Sequence, residues 1–247
     1  MPEVSPSRYL VTCGWAQVPH ISEEAKAELR RSTLPHLRES REFGTPSLGA
    51  GAIYPIPINE IEVEPFAIPA FWPRAYALDV GWRFTAAVWG AQNPDDGVTY
   101  LYAEHKRREA EPTTHAAAIR ARGDWIRGAI DPAARGRGQA DGQKLYDMYA
   151  NLGLHIVPGV NAVEAGIYEV WLALSEGRLK MFRTLAQTKG EYRVYRRDEK
   201  GNIVKENDHL MDCVRMLKMT WSSVASLPKV KRHASGASGP SDSVGGY

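Results

Sequence analysis

From residue 74 onward the chain is dense in β-branched and aromatic positions, and the period of that pattern changes along its length. Residues 76–82 and 85–92 read as two strands, Asn-Pro-Asp-Asp-Gly over 93–97 as a turn, and 98–105 as a third strand of an antiparallel meander. The period then becomes helical over 113–125, with Thr113 or Thr114 as the N-cap. A short strand follows over 127–130 and ends on Asp131 and Pro132. Residues 142–152 form a second helix closed by Gly153, 155–158 another strand, and 164–175 a third helix closed by Gly177. The final helix spans 208–221, with Leu210, Val214, Leu217 and Trp221 on its buried face and Asn207 or Asp208 as its cap. Three antiparallel strands followed by alternating helix and strand predict an α/β fold: a mixed sheet with helices on its faces.

The flanking regions carry weaker patterns. Residues 1–70 do not read as a self-sufficient domain: 9–13 is a short strand candidate, 22–37 a helix capped by Ser22, and glycine and proline recur over 44–69. The prolines of 53–59 exclude a central strand, so that stretch reads as an extended linker or edge segment. The core domain is expected over 71–224. Within it 178–206 is strongly basic, with Met181 and Phe182 as a short strand and 191–197 paired to 203–205 as a hairpin around the turn 198–202. Tyr192 and Tyr195 interleave with arginines there, a pattern that suits nucleic acid, although a solvated hairpin with outward charges has the same composition. Residues 225–247 turn basic and then rich in Ser, Gly and Ala, which predicts a flexible tail.

Composition narrows the class without naming a chemistry. The 247 residues are 43% hydrophobic and 24% charged, ordinary for a folded domain, and a net charge of +2 does not by itself announce a nucleic-acid partner. Two cysteines, Cys13 and Cys213, stand too far apart in sequence for a thiolate metal motif and suit a reducing compartment. No apolar run approaches the roughly 18 residues of a membrane span, and no secretory leader is visible, so an intracellular protein is expected.

The candidate chemistry lies in three acids at element boundaries: Asp79 in the apolar stretch 75–81, Asp131 after the strand 127–130, and Asp212 in the last helix. A lone carboxylate in a buried strand is costly unless exposed, neutralised or bound to a cation. Asp79 could instead cap the turn at Val80 and Gly81. If the three converge, they suit hard divalent ions, magnesium or manganese. Two such ions about 3.5–4 Å apart hydrolyse a phosphodiester without a protein nucleophile. That agrees with the absence of a serine or cysteine triad and of a phosphate loop. His209 and Asp212 share one helix face, and imidazole favours manganese; His209 could equally be a surface residue and Asp208 a weaker ligand or a cap. Arg135, Arg137 and Lys144 could grip phosphates, or that loop could be a surface turn. Lys189, Arg193, Arg196 and Arg197 are DNA-contact candidates. Glu104 ends the third strand near the site, Trp82 could wall it, and His105 and His115 show no ligand spacing.

Three stretches, Ala-Leu-Asp-Val-Gly over 77–81, Ala-Ile-Asp-Pro over 129–132 and Asp-His-Leu-Met-Asp-Cys-Val-Arg over 208–215, together resemble the nuclease domain of the large terminase subunit of tailed bacteriophages. Residues 15–22, followed by 38–44 and Pro46, are similar to the segment that joins that family's ATPase to its nuclease. The resemblance implies an RNase H-like fold and a metal-dependent endonuclease that cuts concatemeric double-stranded DNA with two magnesium or manganese ions. It implies Asp79, Asp131 and Asp212 as metal-binding acids, His209 as a residue that joins the second metal, and the basic hairpin as a guide for DNA. It further implies a C-terminal piece of a terminase without ATP hydrolysis of its own. Expected partners are an ATPase domain or subunit, the portal protein and the small terminase subunit, in the cytoplasm of an infected bacterium at the procapsid. Cys213-Val-Arg-Met216 departs from the more usual Ala-Leu-Arg-Tyr, at packing positions. A resolvase- or transposase-like nuclease, or a DNA- or portal-binding part of the motor with little activity, are the alternatives.

Overall fold

Seven strands assemble as one mixed sheet, in the order Glu62–Val63, Leu179–Phe182, Thr99–Arg108, Phe84–Gln92, Arg74–Val80, Arg127–Ile130, Ile156–Pro158. The computed structural model describes residues 3–5, 8–9, 13–32, 42, 51–81, 83–135, 145–198 and 200–228. In the N-terminal part, β1 (Glu3–Ser5) pairs antiparallel with β2 (Arg8–Tyr9), which holds the start of the predicted strand 9–13; residues 10–12 lie outside the described residues. Helix α1 (Glu23–Ser32) starts where expected, with Ser22 Oγ accepting the Ala25 N–H at 3.2 Å.

Residues 51–63 pack with the sheet. Ile53, Tyr54 and Ile61 are buried in its core, α2 (Ile58–Ile61) is a single turn, and β3 (Glu62–Val63) adds a parallel edge strand beside β9 (Leu179–Phe182). The antiparallel meander is β4 (Arg74–Val80), β5 (Phe84–Gln92) and β6 (Thr99–Arg108). Strands β7 (Arg127–Ile130) and β8 (Ile156–Pro158) then extend it in parallel beyond β4. This leaves β4 central and buried on both faces.

Strand alternation divides the core in two. Ala75, Ala77, Ala86, Val88 and Ala129 face α5 (Val163–Ser175) and the long α7 (His209–Val224), while Tyr76, Leu78, Ala87, Trp89 and Ile130 face α3 (Pro112–Arg120) and α4 (Leu145–Asn151). Small residues on the first face let α7 lie close to the sheet. Gly159 and Gly166 continue that tightness, since a Cβ at Gly159 would sit 2.4 Å from Met216 and one at Gly166 would sit 2.5 Å from Arg215.

Four local expectations are corrected. Helix α3 begins at Pro112 after Glu111, with no side-chain cap from either threonine, and ends before Gly123, whose φ of 136° is not helical. Residues 191–194 are not a strand but the end of helix α6 (Ala186–Val194). Thr188, Glu191, Tyr192 and Tyr195 are buried at helical spacing, and the Glu104 carboxylate caps the helix by accepting from Gln187 N–H at 3.0 Å and Thr188 N–H at 2.7 Å. The hairpin shrinks to a bridge between Arg197 and Ile203 around a turn in which Asp198 Oδ1 accepts from Lys200 and Asn202. Helix α7 runs three residues past the expected Trp221, after which Ser226 pairs with Arg74. The tail from 229 and the loop 136–144 lie outside the described residues.

Candidate metal centre

Topology alone puts two of the acids side by side. Strands β4 and β7 are parallel with Leu78 opposite Ile130, so Asp79 and Asp131 follow at the carboxyl ends of neighbouring strands, about 4.8 Å apart in strand spacing. The Asp131 N–H donates to the Leu78 carbonyl at 3.0 Å and continues the ladder, and its Oδ1 accepts from the Ala133 N–H at 2.9 Å. Both carboxylates follow alanines of the α7 face, Ala77 and Ala129, by two residues and so share that face.

Helix α7 closes the site from above. His209 Nδ1 lies 2.8 Å from Asp79 Oδ2, and one turn later Asp212 presents Oδ1 to Arg215 Nη2 at 3.0 Å and Oδ2 to Lys205 Nζ at 3.3 Å. Arg215 is buried and donates from Nη1 to Asn161 Oδ1 at 3.1 Å, which fixes the carboxylate it holds. Burial pushes the Asp79 pKa up; the bond from His209 opposes this, and the nearby charges of Asp131 and Asp212 add to it. His209 is raised, chiefly by its bond to Asp79 and against the effect of burial. Asp208 and Asp212 share the ammonium of Lys205, and Asp131 makes no ion pair among the described residues, so the acids outnumber the cations that face them.

Asp208 occupies the N-cap position of α7 but makes no side-chain cap bond. It is buried, and its Oδ2 lies 3.1 Å from Lys205 Nζ without an aligned hydrogen bond. The cap comes from another helix: Glu191 Oε2 accepts the N–H groups of Leu210 at 2.6 Å and Met211 at 3.3 Å, and Oε1 pairs with Lys106 Nζ at 2.6 Å. Sequence reasoning missed Glu191 and Lys106 because it placed 191 on an outward strand. The spacing of Thr188, Glu191, Tyr192 and Tyr195, three and four apart, was the available signal. Phe84 was also missed; its ring packs 5.3 Å from that of His209.

The DNA-contact candidates divide. Tyr192 and Tyr195 are core residues stacked near Tyr54, and the Tyr192 hydroxyl donates to the Ile56 carbonyl at 2.9 Å, so neither is available to a base. Lys189 is paired with Glu62 at 3.0 Å and Arg197 with Glu164 at 2.6 Å. Arg193 and Arg196 are exposed. Arg135 ends the short 3-10 turn Pro132–Arg135 without a described side chain, and Arg137, Lys144 and Trp82 lie outside the described residues. Glu104 caps α6 and so is not a site acid. His105 and His115 bond each other at 2.9 Å on the opposite face of the sheet, where burial lowers both pKa values, that of His105 to about 4.

Among the described residues no three His, Cys, Asp or Glu side chains converge closely enough to hold an ion by themselves. The donors are nevertheless hard oxygens with unbalanced charge, and the buried Oδ2 of Asp208 lacks a hydrogen bond. Magnesium characteristically keeps several waters and takes one or two carboxylates with substrate phosphate, so an all-protein cage is not required of such a site. The residues fit that kind of ion. No helix among the described residues is long and apolar enough to cross a membrane.

Comparison with known proteins agrees with this geometry. The family described as the terminase RNaseH-like domain matches residues 83–220. The large terminase subunit of Salmonella phage P22 is 32% identical over 206 residues, which cover 79% of this chain and 41% of that protein. The chain therefore spans less than half the length of that relative. The solved nuclease domain of the P22 large terminase is 30% identical with a TM-score of 0.66, covering 72% of this chain and 96% of that one. The large terminase nuclease of thermophilic phage G20c, solved with bound magnesium, shares the fold at 14% identity and a TM-score of 0.51, covering 68% of this chain and 96% of that one. On this evidence the mixed sheet is an RNase H-like fold, and the chain belongs to the terminase RNase H-like nuclease domain family of phage DNA packaging.

Proposed function

We propose that this chain is a metal-dependent DNA endonuclease that hydrolyses phosphodiester bonds with two divalent ions, magnesium or manganese, and cuts the concatemeric double-stranded DNA of a packaging phage. The observation that carries the reading is that Asp79 and Asp131 end adjacent parallel strands, while His209 of α7 reaches Asp79 and Asp212, one turn on, adds its charge to that of the same acid. Asp79, Asp131 and Asp212 would hold the ions, with His209 assisting and Asp208 as a further donor. Such ions supply a hydroxide nucleophile near neutral pH and offset charge on the phosphate.

The residues themselves do the positioning. His209 holds one oxygen of Asp79 and leaves the other for a ligand; Arg215 does the same for Asp212, whose second oxygen meets the displaceable ammonium of Lys205. Glu191 anchors the first turn of α7, so the donors from helix and sheet keep their relation. That the G20c nuclease was solved with magnesium supports a divalent ion in a site of this fold. In this reading residues 71–224, with the edge segment 51–63 that packs on the same sheet, form the catalytic unit, while the residues before them link it to an ATPase domain or subunit. The portal and small terminase subunit are partners of the assembled motor. Plasmid incubated with Mg²⁺ or Mn²⁺ is expected to be cut, and neither EDTA-treated protein nor Asp79→Asn should cut it. Full cutting by Asp79→Asn would overturn the assignment.

A further inference from the structure

The meander continues past the carboxylates into a surface that the basic arm does not include. Across β4, β5 and β6, Asp79 stands opposite Ala86 and Ala86 opposite Lys106, while Phe84 stands opposite Arg108. Cross-strand partners share a face, and positions two apart along a strand return to it. Asp79, Phe84, Lys106 and Arg108 therefore project from the same face and the same edge of the sheet. Next to them is an open groove of about 480 Å³, whose lining includes Phe84, Lys106, Arg108, Gly190, Val194 and Asn207.

The groove has the chemistry of a strand of nucleic acid. Lys106 Nζ lies 4.7 Å and the Arg108 guanidinium 5.1 Å from the centre of the half-exposed Phe84 ring. Arg108 is 60% exposed and its one ion pair among the described residues is a 3.9 Å contact with Glu109, whereas Lys106 is committed to Glu191 at 2.6 Å. Exposed Arg83 precedes Phe84 at the start of β5 and makes no ion pair among the described residues. The ring of Phe84 leads directly to His209 and thence to Asp79. An aromatic ring beside an uncommitted guanidinium is a stacking platform next to a phosphate ligand.

We infer that this groove docks the DNA phosphodiester backbone flanking the scissile bond, with Arg108 on a phosphate and Phe84 supporting the adjoining sugar or base. The inference rests on the nuclease reading for its substrate. Arg108, rather than Lys189 or Arg197, then supplies the charge, because those two are already neutralised by Glu62 and Glu164.

The test is fluorescence anisotropy of a labelled DNA duplex with the whole chain in EDTA, where no cutting occurs, at salt concentrations from about 50 to about 200 mM. Arg108→Ala is expected to weaken binding several-fold and to lower the log–log salt slope by about 0.9, the value of one lost phosphate contact. Arg108→Lys should retain the slope. Phe84→Leu should weaken binding by about tenfold with the slope unchanged, as loss of stacking requires. Arg178→Ala, which removes an arginine paired with Glu176, should alter neither. Unchanged affinity and slope in Arg108→Ala, an equal fall of slope in Arg178→Ala, or no binding by the wild type would each overturn the inference. Binding that depends on Arg108 in a protein that never cuts with any divalent ion would instead overturn the nuclease reading and leave the docking groove standing.

Discussion

One sheet presents two faces built by the same strands in alternation, and they are used in opposite ways. Towards α7 the strands offer Ala75, Ala77, Ala86 and Ala129; towards α3 and α4 they offer Tyr76, Leu78, Trp89 and Ile130. Small side chains bring a long helix near enough for His209 to reach Asp79 and for Cys213 Sγ to lie 3.4 Å from the Ala86 carbonyl. Large ones on the far side bury area. The polar groups follow the same division: Lys106 with Glu191 and Asp212 with Arg215 stand on the first face, whereas the second holds a histidine pair and Arg122 over the Trp89 ring at 4.4 Å. Chemistry sits where packing is close and charged, and stability where it is bulky and apolar.

Substitutions can break that division. Asp79→Asn should reduce cleavage by more than about 100-fold, as expected for loss of an ion's own ligand, while melting no lower than wild type, because the carboxylate is held against burial. Cleavage assays beside thermal melting check both halves; a large loss of stability would mean that the acid is structural. Trp89→Ala should do the reverse, costing about 4 kcal/mol in urea unfolding with cleavage per folded molecule retained.

Glu191→Ala tests the border between the two roles. It leaves Lys106 buried without its partner and two N–H groups of α7 without an acceptor, so a loss of about 3 kcal/mol is expected, with a higher divalent ion concentration needed for half-maximal cleavage. Glu191→Gln, which keeps an acceptor, should recover part of both; normal metal dependence in Glu191→Ala would confine the residue to folding. The smallest effect concerns His105, whose pKa falls from 6.5 to about 4 through burial, with His115, Arg122 and Arg107 adding to it. The unfolded chain binds the proton more readily than the folded one between those values, so stability contributed by neutral His105 is present above about pH 6.5 and is lost as pH falls towards 4. His105→Gln should flatten the acid limb of a melting-temperature profile; an unaltered limb would assign it to other groups.

Much of this was legible in the chain. Dense β-branched and aromatic residues mark β4, β5 and β6, the strand over 127–130 has the predicted bounds, and Asp79 and Asp131 stand out because the first interrupts an apolar run and the second ends one. The basic segment was not legible as structure. Charge alternation over 191–197 imitates a strand, yet the helix forms because Thr188, Glu191, Tyr192 and Tyr195 find a core and Glu104 finds its N–H groups.

The amino-acid sequence by itself determined the period of the elements outside the basic segment, and hence the mixed sheet and the acids at its carboxyl edge. Only the tertiary structure decided which charges are paired. His209 with Asp79 spans 130 positions and Lys106 with Glu191 spans 85. A local pattern reports which side of an element is buried, but an ion pair depends on which elements the topology brings into contact. For that reason Lys189 and Arg197 looked available while Glu191 and Arg108 went unnoticed: neutralisation and exposure are properties of neighbours in space.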